Sequence, residues 1–369
     1  MIRLRLRVCF CFLLSSVGLA ELSSTQAMDA ADQRPNLLIA ISDDQSFPHA
    51  SAYGEEAIRT PAFDRIAKQG VLFRQAFTPA PGCSPMRAAF LTGREIWTIR
   101  EAGTHASTFP SDLPVFTTLL SDAGYHVGST GKGWSPGRAN GWEHNPAGKA
   151  YKSQKMDSPK GISKTDYAGN FEDFLDARSD TPSPFCFWYG GHEPHRVFER
   201  GIGAKNGIDL QRITVPGFLP DTPEVRSDLA DYLFEVYWFD SHLLRMLDEL
   251  ERRGELDNTM VIVTSDNGMS FPRAKANLYE YGIHMPLAIS WPARIPAGQV
   301  NNDLVSLIDV TRTLLAASEV ESPKEAARMG QDLLPRLTDP NRNRPLLRNA
   351  VFIGRERHSS SRFNSLGYP

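Results

Sequence analysis

Short runs of apolar residues, each long enough for one strand, alternate along this chain with segments that have helical spacing. Four such runs lie within residues 36–42, 185–189, 259–264 and 286–290, and a further short strand is predicted at 125–129. A strand that is apolar at every position is buried on both faces, which is typical of a parallel sheet covered by helices on each side. Helices are predicted between the runs, most of them from a proline start or a glycine stop, at 61–69, 115–123, 223–253 and 309–317. The alternation predicts an α/β fold with a large, mainly parallel central sheet flanked by helices.

The balance of charge excludes one broad class of function. The 369 residues include 40 Lys and Arg against 43 Asp and Glu, which gives a formal net charge of -3. Nucleic-acid-binding proteins usually show a clear basic excess, so no nucleic-acid partner is expected. Apolar residues make up 41% of the chain, as in a folded globular protein and unlike a disordered one.

The N-terminal residues have the pattern of a signal peptide. Three arginines stand among the first seven residues, and 8–19 is an apolar run too short to cross a bilayer. Small residues follow, with possible cleavage after Ala20 or near Ala27. We therefore expect 1–27 to be a signal peptide, the protein to be exported, and a catalytic domain to occupy 28–345. No cysteine directly follows the apolar run, so no lipid or membrane anchor is expected.

Two cysteines remain after this segment, too few for a disulfide framework. Cys186 lies inside an apolar run and is expected to be an inert core thiol. Cys83 lies in a turn rich in Gly and Pro, and Pro85 places it at the N-terminus of a short helix. Free backbone N–H groups there favour an anion, and Arg87 adds donors suited to sulfate or phosphate. A thiolate nucleophile and a plain helix cap both remain open at this point.

Polar residues follow four of the predicted strands at the point where each strand ends. They are Asp43, Asp44, Lys132, His192, His195, Asp266 and Asn267. Ligands bind outside the carboxyl ends of strands in open α/β sheets, so we expect one shared site. Carboxylate and amide oxygens favour Ca²⁺, with Mg²⁺ second. Zinc is the weaker interpretation, because it prefers His and Cys and no HExxH motif is present.

The stretch around Cys83 resembles the signature of a known family. Cys83-x-Pro85-x-Arg87, followed by Leu91-Thr-Gly-Arg94, is similar to the signature of the type I sulfatases, which belong to the alkaline-phosphatase-like superfamily. The resemblance implies that a formylglycine-generating or anaerobic maturation enzyme oxidises the cysteine to formylglycine. It also implies a fold with a further, antiparallel C-terminal subdomain, of which 346–369 would be an incomplete start with a strand at 350–354.

The resemblance also implies roles for individual residues. The implied metal ligands are Asp43, Asp44, Asp266, Asn267 and the modified Cys83. The residues implied to contact sulfate or the leaving group are Arg87, Lys132, His195 and Lys275, with His195 as the candidate acid. One formylglycine hydroxyl would attack sulfur, and the other would expel sulfate.

Within the family, the likeness is to heparan N-sulfatase-like members. It is carried by residues 215–223, 228–230, 256–259, 265–272 and 277–279. This implies hydrolysis of a sulfate ester or an N-sulfate on a sulfated glycan. Two alternatives stay open: a phosphonate monoester hydrolase or phosphodiesterase of the same superfamily, and a truncated glycan-binding pseudoenzyme.

One position departs from the family pattern. Family members usually have a histidine two residues after the lysine that matches Lys132, and this chain has Trp134 there. His126 or His144 could replace that histidine, and Trp134 could line a sugar pocket.

Overall fold

The computed structural model describes residues 34–178, 183–339 and 345–356. The predicted signal peptide at 1–27 lies outside these ranges. The described strands are β1 (Asn36–Ser42), β2 (Val71–Phe77), β3 (His126–Gly131), β4 (Lys149–Ala150), β5 (Phe185–Gly190), β6 (Thr259–Ser265), β7 (His284–Ser290), β8 (Gln299–Asn301) and β9 (Val305–Ser306). The described helices are α1 (Pro61–Gln69), α2 (Cys83–Thr92), α3 (Phe116–Asp122), α4 (Tyr167–Asp176), α5 (Ile202–Lys205), α6 (Pro223–Arg252), α7 (Glu280–Ile283), α8 (Leu307–Ala317), α9 (Lys324–Met329) and α10 (Leu334–Thr338).

The described strands form one sheet in the order β4-β3-β5-β1-β6-β7-β2-β8, with β9 paired to β2. The pairs from β4 to β6 are parallel, as are the pairs that β2 makes with β8 and β9. Strand β7 runs antiparallel to both of its neighbours, β6 and β2. The sheet is therefore large and mainly parallel, which confirms the predicted fold class.

Alternation along β1 shows how the two faces of the sheet are covered. Leu37, Ile39 and Ile41 belong to a core cluster that includes side chains of α2, α3 and α8. Leu38 and Ala40 belong to the opposite cluster, which includes side chains of α1, α4 and α6. Strand β1 is thus buried on both sides, and β5, β6 and β7 are likewise buried at every position, as a sheet between helical layers requires.

Two elements near the site were not anticipated from the sequence. Strand β2 carries exposed polar residues, Arg74 and Gln75, where its pairing with β7 is irregular, and these break its apolar pattern. Helix α4 contains Gly169 and Asn170, which weaken its helical signal. Its start is nevertheless defined, because the Asp166 carboxylate accepts the backbone N–H of Gly169 at 3.1 Å.

Charged residues fall between the apolar positions of α6, where a solvated helix face would be expected, yet several of them are buried. The Asp240 carboxylate is buried and accepts the backbone N–H groups of Ala62 and Phe63, at the start of α1. The Asp231 carboxylate is also buried and accepts the N–H groups of Gly201 and Gly203 near α5. These carboxylates cap neighbouring helices, which the spacing within α6 alone does not reveal.

The strand predicted at 350–354 is not observed. Residues 351–356 have no regular secondary structure, and the N–H of Gly354 donates to the carbonyl of Pro79 at 3.0 Å. An apolar run becomes a strand only when a neighbouring strand pairs with it, and none among the described residues does so here.

No helix in the described ranges combines the length and the apolar character needed to cross a membrane.

Candidate active site

The carboxyl ends of four neighbouring strands meet at one edge of the sheet. In the register, Ser42 at the end of β1 lies beside Ser265 of β6, and Gly190 of β5 lies beside both Ile41 and Gly131 of β3. A β-carbon on Gly190 would lie 1.8 Å from the carbonyl oxygen of Lys132, so only glycine allows this approach. The structure therefore brings together the polar residues that follow these strands.

Three carboxylates form the centre of the site. Oxygens of Asp43, Asp44 and Asp266 all lie within 4.8 Å of one another, and all three residues are buried. Asp44 has a left-handed backbone with φ of 72°, a conformation that Asp tolerates better than most residues. Asp266 Oδ1 accepts the backbone N–H groups of Asp44 and Asn267 at 3.1 and 2.8 Å. These bonds fix the carboxylates relative to the backbone.

Two buried oxygens in this centre have no hydrogen-bond partner within the described part of the chain. They are Oδ1 of Asp43 and Oδ1 of Asn267. Unpaired buried oxygens are costly unless a ligand satisfies them. The atoms of this centre that could bind a metal are all oxygens, and two of these oxygens have no hydrogen-bond partner. The residues therefore fit a hard divalent cation.

Helix α2 begins at the site with Cys83, as predicted. The Cys83 side chain is buried, and a histidine nitrogen and an Asp43 oxygen lie within 4.8 Å of its sulfur. Burial raises the pKa of the Cys83 thiol to about 12, although the nearby Lys132 acts in the opposite direction. The unmodified thiol is therefore protonated at neutral pH, which disfavours the thiolate interpretation.

Arg87 lies one turn further along α2 and is completely buried. Its Nε donates to Asp266 Oδ2 at 2.8 Å, and its Nη1 donates to the carbonyl of Lys132 at 2.6 Å. Burial alone would lower the pKa of Arg87, but Asp266 outweighs it and the net shift is upward. Nη2 is buried without a hydrogen-bond partner among the described residues, so it is free to donate to an anion.

Two lysines pair with the carboxylates. Lys132 Nζ lies 2.5 Å from Asp43 Oδ2, and Lys275 Nζ lies 2.7 Å from Asp44 Oδ2. Burial disfavours both ammonium groups, but the negative charges of the neighbouring aspartates keep the pKa of each lysine above its ordinary value. Both lysines therefore stay charged beside the carboxylates, where they can also contact a bound oxyanion.

The histidines that sequence reasoning considered do not all reach the site. A ring nitrogen of His195 lies within 4.8 Å of both the Cys83 sulfur and an Asp43 oxygen. His192 lines the cleft into which the site opens, and burial lowers the pKa of its ring to about 4. His126 begins β3, at the end of the strand opposite Lys132, and stacks on a phenylalanine ring. His144 is exposed and pairs with its neighbour Glu143.

The suggestion that Trp134 lines a sugar pocket is wrong. The indole is only 2% exposed and packs edge-on against Phe109. Its Nε1–H donates to the carbonyl of Ser84, in the first turn of α2, at 2.9 Å. Trp134 therefore supports the start of the helix that carries Cys83, instead of facing a ligand.

Replacing Trp134 with alanine should lower the free energy of unfolding by about 3–5 kcal/mol, the usual effect of removing a buried aromatic side chain. Trp134→Phe keeps most of the ring volume and loses the hydrogen bond, so we expect a smaller loss of about 1 kcal/mol. Urea unfolding of both variants measures this. Equal stability of Trp134→Ala and the parent protein would contradict the assignment.

The site opens into a cleft of about 580 Å³. Its lining consists of Asp43, Lys132, Ser135, Pro136, Gly161, Ser163, His192, His195 and Arg196. Of the carboxylate centre, Asp43 lines this cleft, and the loop that follows β5 contributes His192, His195 and Arg196 to the lining. A small polar ligand therefore has access to the buried centre.

Sequence reasoning missed residues that support this centre. The Ser270 hydroxyl donates to Asp44 Oδ2. Ser270 stands only three positions after Asn267, and this short spacing could have identified it from the sequence. The backbone carbonyl of Glu193 accepts the N–H of Asp43 at 2.9 Å. The Glu193 carboxylate is buried and accepts the Tyr167 hydroxyl at 2.9 Å. Tyr167 is the first residue of α4, so this contact could not be anticipated without that helix.

A mainly parallel sheet with an oxygen-rich centre at its edge, beside a helix start suited to an anion, is the arrangement expected for the alkaline-phosphatase-like superfamily. The Sulfatase family profile matches residues 35–320. The chain therefore belongs to the sulfatase family.

Similar proteins support this assignment. Human N-sulphoglucosamine sulphohydrolase is 32% identical over 338 residues, covering 82% of this chain and 66% of the human protein. N-acetylglucosamine-6-O-sulfatase of Bacteroides thetaiotaomicron is 27% identical, covering 92% of this chain and 77% of that protein. A solved structure in complex with its substrate D-glucosamine-2-N,6-O-disulfate has a TM-score of 0.64 at 25% identity, covering 83% of this chain and 80% of that one. The chain thus spans about two thirds of the human relative's length and about three quarters of the bacterial one's.

Proposed function

We propose that this protein hydrolyses a sulfate ester or an N-sulfate on a sulfated glycan. The observation that carries the proposal is the position of Cys83. It lies at the start of a buried helix, and its sulfur is within 4.8 Å of an Asp43 oxygen of the carboxylate centre. Formylglycine made from Cys83 would supply the hydroxyl nucleophile that the protonated thiol does not.

The carboxylate centre would hold the divalent cation. Asp43, Asp44, Asp266 and Asn267 would be its protein ligands, with the modified Cys83 completing the set. Ca²⁺ suits a site built mainly from protein oxygens better than Mg²⁺, which retains more water. A bound cation would lower the pKa of a coordinated hydroxyl and would draw the sulfate oxygens toward the site.

Three cationic side chains would bind the sulfate group. Arg87 has a free buried N–H, and Lys132 and Lys275 keep their charges beside the carboxylates. Donors that are already oriented in a buried site stabilise charge developing on the sulfate oxygens in the transition state.

His195 would donate a proton to the leaving nitrogen or oxygen. Its ring reaches the reacting position from the cleft side, and it is partly exposed to solvent, from which it can be reprotonated. The similarity to proteins that act on N-sulphoglucosamine and on glucosamine 2-N,6-O-disulfate supports a glucosamine sulfate as the substrate.

Two further proposals concern the protein before it becomes active. Maturation of Cys83 requires a formylglycine-generating or anaerobic maturation enzyme as a partner. Residues 1–27 would direct export, so that the mature catalytic domain begins near residue 28.

Turnover of paired substrates tests the proposal against the alternatives. Mature protein loaded with Ca²⁺ should release sulfate from glucosamine N-sulfate and from an aryl sulfate, and a peptide containing Cys83 should be about 18 Da lighter than the cysteine form. A strong preference for an aryl phosphodiester would favour a phosphodiesterase or phosphonate hydrolase. Glycan binding without sulfate release, by protein with the lighter peptide, would indicate a pseudoenzyme.

A further inference from the structure

Among the described residues, the His195 ring makes one hydrogen bond, and that bond orients it. Nδ1 lies 2.6 Å from the backbone carbonyl oxygen of Arg196. A carbonyl only accepts, so Nδ1 carries the hydrogen and Nε2 is the nitrogen that exchanges a proton with the site. Nε2 lies 3.9 Å from Asp44 Oδ2. Since 43% of the His195 side chain is exposed, packing alone does not hold the ring in this orientation.

The residue that supplies this carbonyl is itself clamped. The Arg196 guanidinium donates to both carboxylate oxygens of Asp228 on α6, and its Nε donates to the carbonyl of Ser270 at 2.9 Å. Its Cζ also lies 4.6 and 4.5 Å from the ring centroids of Phe198 and Phe271. The fork of Arg196 is thus paired and two aromatic rings contact its guanidinium, with these partners coming from three separate segments of the chain.

The clamp is connected directly to the carboxylate centre. The Ser270 carbonyl accepts from Arg196, while the Ser270 hydroxyl donates to Asp44 Oδ2. Ser270 therefore fixes the distance between the loop that carries His195 and the aspartate that faces Nε2. A change at Arg196 alters this relation without removing any group that touches the carboxylates.

We infer that Arg196 is a positioning residue for His195. Held by Asp228, Ser270 and the two phenylalanine rings, it presents its carbonyl to Nδ1 and so directs Nε2–H toward the leaving group. The inference rests on the proposed function, because it assigns the residue that keeps the proposed acid in place.

Arg196 has a second conceivable role, because it also lines the cleft and a guanidinium is a good sulfate ligand. Both oxygens of Asp228 already occupy its fork and balance its charge, which argues against that role. The two roles predict different kinetics. If Arg196 binds the substrate, losing it raises KM. If Arg196 positions His195, losing it displaces the acid and lowers kcat, and the decrease is larger for a leaving group that needs protonation more.

The test compares two substrates of the mature Arg196→Met variant. A sugar amine leaves only when protonated, whereas an aryl oxide leaves without help. General acids contribute roughly 10²–10⁴-fold, so we expect kcat for glucosamine N-sulfate to fall about 10- to 100-fold. We expect kcat for the aryl sulfate, and KM for both substrates, to change by less than about threefold.

A double mutant adds a second requirement. If Arg196 acts through His195, adding Arg196→Met to His195→Ala should lower kcat for glucosamine N-sulfate no further. Additive losses, equal losses on both substrates, or a change in KM alone would each overturn the inference.

Arg226 on α6 offers a matched control. It too forms a two-pronged pair with an aspartate, Asp221, and donates to backbone carbonyls, those of Leu210 and Ile213. Arg226→Met should leave the ratio of the two substrates unchanged. The same shift in that ratio as in Arg196→Met would show a general effect of loosening α6, and would overturn the inference.

A spectroscopic readout separates this inference from the proposed function. In protein with ¹⁵N-labelled histidine, the His195 signals, assigned by their loss in His195→Gln, should show the Nδ1–H form when the ring is neutral. Arg196→Met should shift them toward a mixture of the two tautomers. An unchanged tautomer would overturn the positioning role even in a protein with no turnover, whereas failure of wild-type turnover with the expected shift would count only against the proposed function.

Discussion

Replacing Cys83 with alanine is expected to abolish sulfate release, lowering kcat by about 10⁴-fold or more, as loss of a covalent nucleophile does in other hydrolases. No formylglycine can form from alanine. The remaining groups of the site could still bind sulfate, but no hydroxyl nucleophile would be present to attack the sulfur atom. The fold should persist, because the change alters only one small side chain in the first turn of α2. Sulfate release by wild-type and Cys83→Ala protein, with circular dichroism as a check on folding, measures this.

Cys186 provides the control, since it is the other free cysteine of the described chain and is equally buried. It lies in β5 within the core cluster that also contains Leu37 and Trp188. Cys186→Ala should lower the free energy of unfolding by about 1 kcal/mol and leave turnover unchanged. Full activity in Cys83→Ala, or loss of activity in a folded Cys186→Ala, would contradict the assignment of the two cysteines.

The sheet could be predicted well because its signal is local. The run Asn36–Ser42 is apolar at each of its five inner positions, and the strand observed there has the same bounds. The residues that follow the strands could be assigned to one edge, because parallel strands end together. Strand β2 was missed for the opposite reason, since Arg74 and Gln75 point outward at an irregular position and hide its pattern.

The chemistry of the carboxylate centre could be anticipated from residue types, but its supports could not. Asp266 was recognised as an acidic residue after a strand, whereas its pairing with Arg87 joins residues 179 positions apart. The clamp on Arg196 likewise depends on α6, which lies far along the chain. Trp134 shows the same limit, because the sequence reveals that a histidine is replaced but not that the indole supports α2.

Helix α6 shows why a periodic pattern can mislead about polar residues. The spacing of its apolar residues predicted the helix, and its observed bounds are Pro223–Arg252. Taken alone, the same pattern would place the intervening charges in solvent, although Asp231 and Asp240 are buried caps of other elements. Burial of a charged side chain depends on the partners that tertiary structure brings to it, and these are absent from the spacing within one helix.

Replacing Asp266 with alanine should have the second large effect, on both stability and metal binding. Asp266 and Arg87 form an ion pair in which both side chains are fully buried. Removing one partner leaves the other charge buried without compensation, so we expect a loss of about 3–5 kcal/mol in the free energy of unfolding. Asp266→Ala also removes a proposed ligand of the divalent cation, so turnover should be lost as well.

Added Ca²⁺ separates these two effects. A ligand at 100 times its dissociation constant stabilises a folded protein by about 2.7 kcal/mol. Wild-type protein should gain stability of this size in thermal unfolding, and Asp266→Ala should gain almost none. If the alanine variant does not fold, Asp266→Asn keeps the side-chain volume and an oxygen acceptor, and should show the same loss of Ca²⁺ response.

Asp240→Ala is the matched control, because Asp240 is also a buried carboxylate that accepts backbone N–H groups. It caps α1, away from the carboxylate centre, and loss of such a cap costs about 1–2 kcal/mol. This variant should keep both its Ca²⁺ response and its turnover. If Asp266→Ala retained the full Ca²⁺ stabilisation, or if Asp240→Ala lost it, the metal would have to lie elsewhere in the molecule. The difference between the two variants therefore tests the location of the cation independently of any substrate.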